Sequence, residues 1–120
     1  MDTSEAIVAF SQCEKIKSGL LWAIHLGEMR ESIPQGQREG ADKFLETLID
    51  MIGHEIQIIK NRVKDGAWDK TERSINTALV MIRSRVPEES GFHLTHAIAH
   101  VTSLGHKALS YLKEQGHYDG

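Results

Sequence analysis

The helical period that decides the fold is clearest in residues 41–63, which read ADKFLETLIDMIGHEIQIIKNRV. Apolar residues recur there every three or four positions, as on one face of an α-helix, and no sustained period-two alternation indicates a strand. We expect a helix from about Gln37 to Lys64, ended by Asp65-Gly66 because glycine adopts the left-handed conformation at little cost. The predicted core stripe of this helix is Ala41, Leu45, Leu48, Ile52, Ile56, Ile59 and Val63.

The rest of the chain also shows a helical period. Pro34, Pro87 and the turn around Gly66 divide the chain into four segments, since proline and glycine interrupt helices. The first segment predicts a helix over residues 3–31, opened by Asp2 and Glu5, which have the spacing of a capping box. Its predicted core stripe is Ala9, Cys13, Ile16, Leu20, Ala23, Ile24 and Gly27.

The third and fourth segments predict two more helices. The third begins at Asp69, with Glu72 at capping-box spacing, and stops before Pro87 because the residue preceding proline avoids the helical region. The fourth covers about residues 88–115, starting at 88 or 90, and Gly116 caps its end. The predicted core stripes are Trp68, Ile75, Leu79, Ile82 and Val86 in the third helix, and Leu94, Ala97, Ile98, Val101, Leu104, Gly105, Ala108 and Leu112 in the fourth.

Four amphipathic helices with short connections predict an all-α protein, specifically an antiparallel up-down-up-down four-helix bundle. The 120 residues form one domain, 1–120, and a chain of this size buries roughly two-thirds of its unfolded surface without a disulfide or metal. Apolar residues make up 40% of the chain, a share that excludes intrinsic disorder.

Composition also limits the partners and the compartment. Fourteen basic and 17 acidic residues give a net charge of −3, which argues against nucleic acid as a partner. The single cysteine, Cys13, fits a reducing cytoplasm. The acidic N-terminus is unlike a secretory signal, and no apolar cluster approaches the about 20 residues of a membrane span. We therefore expect a soluble cytoplasmic protein that binds neither nucleic acid nor membrane.

The first helix carries more apolar surface than one core face requires. Ile7, Leu21, Trp22 and Met29 point away from the direction of Leu20, whereas a surface helix usually has one apolar stripe. One interpretation is a slightly splayed bundle in which these are flank positions. The interpretation that we favour is a homodimer with these four residues at its interface. A weaker stripe on the second helix consists of Phe44, Met51 and Ile58.

Three histidines, His93, His96 and His100, form one band on the fourth helix. The pair at i and i+4 could chelate a metal ion if a third ligand were near. His25 and Glu28 lie at the right level, but on the flank of the first helix that faces away from this band. Two interpretations stay open: polar flank histidines bonded to water or backbone, which we favour, and a metal-binding bundle. We expect no metal in the isolated protein.

A fourth histidine lies in the sequence Ile52-Gly53-His54-Glu55-Ile56-Gln57. This segment resembles the phospho-accepting histidine box of sensor-kinase dimerisation hairpins, although Ile59 stands where that family has a proline. The resemblance implies that His54 accepts a phosphoryl group and that Glu55 assists by holding the imidazole tautomer. The alternative interpretation is a solvated surface histidine.

A shorter segment, His96-Ala97-Ile98-Ala99-His100, is similar to the phosphohistidine segment of lactose/cellobiose-type transport IIA subunits, with Ala99 in place of that family's Asp. No Gly-rich phosphate loop or nucleophile elbow occurs, so no cofactor is expected. The sequence leaves enzymatic activity open but favours a non-enzymatic interaction or regulatory module that acts as a homo-oligomer. The alternatives are a histidine phosphotransfer protein using His54 and a metal-binding bundle using His93, His96 and His100.

Overall fold

The computed structural model describes residues 1–84 and 87–116, and within these ranges it contains four α-helices and no strand. The helices are α1 (Thr3–Met29), α2 (Arg38–Lys60), α3 (Gly66–Arg83) and α4 (Ser90–Glu114). Short 3₁₀ turns lie at Arg30–Ser32, Gln35–Gln37 and Pro87–Glu89. The helix pairs in extensive contact are α1 with α4, α3 with α4, α1 with α2, and α2 with α3. The predicted all-α class is therefore confirmed.

The start of α1 and the end of α4 are capped by the predicted residues, Asp2 and Gly116. The carboxylate of Asp2 accepts a hydrogen bond from the backbone N–H of Glu5 at 2.8 Å, which satisfies one of the unpaired donors in the first turn of α1. At the other end, Gly116 follows α4 with a φ of +75°, the left-handed conformation that glycine adopts without strain.

The end of α2 differs from the prediction. The helix ends at Lys60 instead of continuing to Lys64. Beyond it, the backbone N–H of Val63 still donates to the carbonyl of Ile59 at 2.9 Å, and Val63 remains buried as predicted. The turn that follows α2 therefore keeps Val63 over the core, although the regular helix has already ended.

The start of α3 also differs, because the prediction placed it at Asp69 and made Gly66 a left-handed cap. Gly66 is instead the first residue of α3, and the carboxylate of Asp65 caps the helix by accepting from the N–H of Ala67 at 2.9 Å. This earlier start puts Trp68 in the first turn, where its indole is buried. Asp65 prevails over Asp69 as the cap because it lets the helix include the large buried side chain.

The core follows the predicted stripes with few exceptions. The four central residues, Leu20, Ile52, Leu79 and Val101, are all buried, which confirms the predicted helix faces. On α2, however, Ile49 lies in the core, whereas the predicted core residue Leu48 is half-buried at its edge. The other predicted core residues that are half-buried are Ile24, Gly27, Ala41 and Ile98, and Val86 lies outside the described residues.

Two glycines let α1 approach its neighbours closely. A methyl group added at Gly19 would lie 3.2 Å from the side chain of Ile52 on α2. On the other flank of α1, a methyl group at Gly105 of α4 would lie 3.4 Å from the Cβ atom of Cys13. These contacts bring α2 and α4 close enough to α1 for a core built mainly of Ala, Ile and Leu to be tightly packed.

Candidate functional site

Large exposed apolar side chains are concentrated on two of the four helices. Trp22 of α1 is 64% exposed and Phe44 of α2 is 82% exposed. The full set on these helices is Ile7, Leu21, Trp22, Leu26, Met29, Phe44, Met51 and Ile58. On α3 and α4, the described residues with the same property are Val80 and Phe92. All four residues predicted at an interface are thus exposed in the single chain. Leu26 is also exposed and lies one turn after Trp22, but it was not among the predicted interface residues.

On α1, contacts of Gly19 identify the side that faces α2, because Gly19 lies against Ile52. Trp22 and Leu26 follow Gly19 at i+3 and i+7, so they lie on the same side of the helix, rotated toward the surface. Met29 lies seven residues after Trp22 and continues that row. These three exposed side chains therefore border the seam between α1 and α2.

On α2, the corresponding side is identified by Glu55, whose carboxylate lies 3.1 Å from the ammonium group of Lys15 on α1. Met51 and Ile58 lie at i−4 and i+3 from Glu55, and Phe44 lies seven residues before Met51. These apolar side chains therefore border the same seam from the other helix. We call the combined surface the outer α1–α2 face. Its residues are Trp22, Leu26, Met29, Phe44, Met51 and Ile58.

Ile7 and Leu21 are turned from Trp22 toward the α4 side of α1. They are spaced seven residues on either side of Glu14, which lines a groove against α4 together with His106. The predicted interface set is thus divided in the structure. Two members, Trp22 and Met29, belong to the outer α1–α2 face, and the other two lie toward α4.

His54 is exposed and lines an open groove between α2 and α3. The same groove is lined by the carboxylates Asp50 and Glu72, which lie within 4 Å of Arg83 and Lys60 respectively. Glu55, the predicted assisting residue, faces α1 and pairs with Lys15. Successive helical residues differ by 100° in direction, and here that difference separates His54 and Glu55 into two grooves.

The histidine band on α4 is divided by its surroundings. The ring centroid of Phe92 lies 5.3 Å from that of His93 and 4.5 Å from that of His96, so these two imidazoles pack around one phenyl ring. His100, one turn further along, is half-buried and lines the groove between α3 and α4. Burial, followed by the nearby charges of Lys70, His96 and Arg73, lowers the pKa of His100.

The predicted metal ligands are not brought together with further donors. Glu28 lines a cleft between α1 and the start of α4, whereas His100 faces α3. Across residues 1–84 and 87–116, no group of three or more His, Cys, Asp or Glu side chains is arranged to hold a metal ion. The cationic neighbours of His100 would also repel a divalent cation.

The thiol of Cys13 is buried between α1 and α4, at the core position that the sequence predicts. Burial, assisted by the charges of Glu14 and Asp65, raises the pKa of Cys13 to about 12. Because the thiolate is the reactive form of cysteine, burial slows reactions of this thiol in the folded chain.

Among the described residues, no helix has the length and apolar character that crossing a bilayer requires. The exposed apolar residues of the outer α1–α2 face lie on one side of helices whose remaining exposed residues are mostly polar.

No family model matches the chain, and neither the curated proteins nor the solved structures contain a significant match to it.

Proposed function

We propose that this protein is a non-enzymatic helical interaction module that acts as a homodimer, with two copies in contact through the outer α1–α2 face. The observation that supports this most directly is the concentration of exposed apolar side chains on that face. Keeping apolar surface in water costs about 25 cal/mol per Å², so such a patch favours a contact that covers it. A second copy is the simplest occupant, since twofold homodimers are the commonest oligomers. The single, unpaired Cys13 supports a cytoplasmic location.

We also propose that the helices follow the antiparallel up-down-up-down order. Contacts between opposite helix ends support it. Arg62, just after α2, donates to the hydroxyl of Ser4 at the start of α1 at 2.9 Å. Lys107, late in α4, donates to Asp65 at the start of α3 at 2.8 Å. Further contacts of this kind are Arg30–Asp42 and Arg83–Glu46. Such an order leaves α1 and α2 side by side along their whole length, with one continuous outer face.

Sedimentation of a charge variant tests the dimer. The intact chain should sediment as a species heavier than its monomer mass of 13.5 kDa. Trp22→Glu should shift it toward monomer because a carboxylate would be desolvated at the contact. The matched control is Val80→Glu, which places the same charge on an exposed apolar position of α3. Both variants should keep the helical circular dichroism of the parent, since neither side chain is in the core.

Two results would contradict the proposal. One is a monomer mass for the intact chain at high micromolar concentration. The other is a loss of association in Val80→Glu that equals the loss in Trp22→Glu, because the effect would then not be specific to the outer α1–α2 face.

The second candidate is a phosphoacceptor role for His54, which is favoured by its exposure in an open groove. Glu55 does not assist His54 here, because its carboxylate is paired with Lys15 on the other side of α2. Incubation with a small phosphoryl donor, followed by detection of an acid-labile label, tests the role. His54→Gln should abolish any label without changing stability, whereas a label that persists in this variant would exclude His54.

A further inference from the structure

The flank formed by α3 and α4 carries a cluster of basic side chains. A groove of about 280 Å³ lies between the first turn of α3 and the middle of α4, and its walls include Lys70, His100, Ser103 and Lys107. Arg73 is not part of the groove wall, but it follows Lys70 by three residues and so lies one turn further along the same side of α3. Basic groups from two helices thus converge on one groove.

Two of these basic side chains have no carboxylate within 4 Å among the described residues. They are Lys70 and Arg73, and the acidic group that lines the groove is already bonded. That group, Asp65, accepts from the N–H of Ala67 at 2.9 Å and from Lys107 at 2.8 Å. By contrast, basic side chains that do have a carboxylate within 4 Å include Lys15, Arg30, Lys60 and Arg83.

Like charges gathered without partners destabilise a helix pair, and here they occur in a chain with a net charge of −3. A cluster of this kind is typical of a binding site, where the missing counter-charge is supplied by a ligand. The helix N-terminus is not itself available, since Asp65 caps it. A ligand would therefore be held by the side chains that line the groove and by Arg73 from the next turn of α3.

We propose that the α3–α4 groove binds a phosphate-bearing anion between Lys70, Arg73 and His100. The planar guanidinium of Arg73 can donate two parallel hydrogen bonds to phosphate oxygens, and Lys70 supplies a compact positive charge. The hydroxyl of Ser103 adds a neutral donor from the α4 wall. A phosphate dianion suits this set because several acceptor oxygens can engage donors from both helices at once. The site is separate from the outer α1–α2 face and does not depend on dimer formation.

Protonation of His100 should accompany binding. The groups that face or flank it are Lys70 and Arg73 from α3, His96 and Lys107 from α4, and Asp65 before α3. Without a ligand, the nearby cationic groups disfavour the protonated form of His100. A bound dianion reverses that balance, so binding should be accompanied by proton uptake and affinity should rise as the pH falls toward the ordinary histidine pKa of about 6.5.

Calorimetric titration of the intact chain with sodium pyrophosphate tests the proposal, at low ionic strength and against a matched sodium chloride titration. Lys70→Ala and Arg73→Ala should each weaken binding by about tenfold, because each removes a charge-assisted hydrogen bond. Lys43→Ala is the control, since Lys43 is an exposed lysine of α2 that also lacks a salt bridge among the described residues. His100→Gln should reduce the pH dependence to the part that comes from the ionisation of pyrophosphate itself.

Two results would overturn the proposal: no heat of binding for the intact chain at millimolar pyrophosphate, or equal weakening by Lys43→Ala and Lys70→Ala. A second arm distinguishes the sources of the phosphate. Co-sedimentation with phosphatidylcholine vesicles only when they contain a phosphoinositide would indicate a lipid headgroup, and pyrophosphate binding without co-sedimentation would indicate a free phosphate compound. All four variants change exposed or half-buried side chains, and circular dichroism checks that each is folded.

Discussion

The outer α1–α2 face and the α3–α4 flank are built on one core but present opposite chemistry to their surroundings. The first exposes Trp22 and Phe44, and its charges at Lys15 and Glu55 neutralise each other. The second exposes basic groups without carboxylate partners and few large apolar side chains among the described residues. Folding requires only the buried stripes, so the packing of the core does not by itself account for the difference between these surfaces.

The largest expected effect is a difference in stability between substitutions at two adjacent residues, one in the core and one on the surface. Leu20 is 0% exposed and Leu21 is 50% exposed. Leu20→Ala should lower the free energy of unfolding by about 2–5 kcal/mol, because it leaves a cavity in the core. Leu21→Ala should change it by less than about 0.5 kcal/mol. Urea denaturation measures both values. Equal losses in the two variants would mean that the helix face is wrongly assigned.

A pair of phenylalanines tests whether the two surfaces differ in association. Phe44→Ser on α2 should weaken self-association by about tenfold, since the exposed ring would otherwise be covered by the partner copy. Phe92→Ser removes the same side chain from α4 and should leave association unchanged. Analytical ultracentrifugation over a range of concentrations gives both constants. An equal effect of the two changes would remove the distinction between the surfaces.

A glycine in α2 permits a test that stabilises the helix without altering either surface. A methyl group at Gly53 would meet nothing within 4 Å. Gly53→Ala should therefore raise the free energy of unfolding by about 0.5–1 kcal/mol through helix propensity alone. Gly91→Ala, in the first turn of α4, should gain less because helix ends are less ordered. Thermal denaturation compares them, and destabilisation by Gly53→Ala would show that the site is not open.

The smallest expected effect is the pH dependence that arises from His100. Its pKa is lower in the folded chain than in the unfolded chain, so the unfolded state takes up the proton first. The contribution of His100 to stability should therefore be constant above about pH 6.5 and decline as the pH falls toward the lowered value. NMR titration should give a higher pKa for His100 in Lys70→Ala than in the parent, and Lys43→Ala should leave it unchanged. An unchanged value in Lys70→Ala would mean that this lysine does not act on the imidazole.

Much of the fold could be predicted because each helix repeats its apolar residues with a helical period. That period locates Leu20, Ile52, Leu79 and Val101 in the core and also identifies the extra apolar residues of α1. It does not decide between neighbouring positions at the edge of a stripe. Leu48 and Ile49 are both aliphatic, and which of them is buried depends on how α1 and α3 pack against α2.

The candidate sites were less predictable because they depend on which neighbour each flank meets. A helical wheel gives a direction for His54 and Glu55 but not the groove that each one enters. The start of α3 is a similar case, since Asp65 and Asp69 are both suitable caps and the burial of Trp68 decides between them. The basic groove could not be predicted either, because it combines Lys70 and His100 from separate helices.

The close approach of Gly105 to Cys13 has a consequence for measuring motion in this protein. The Cys13 side chain is 2% exposed and lies in the groove between α1 and α4, so an alkylating reagent should reach the sulfur faster when these two helices separate. The rate of thiol modification thus reports how often that seam opens under native conditions, and the chain carries no second cysteine to obscure it. The protein contains its own kinetic probe, and any partner that holds α1 against α4 should slow the reaction.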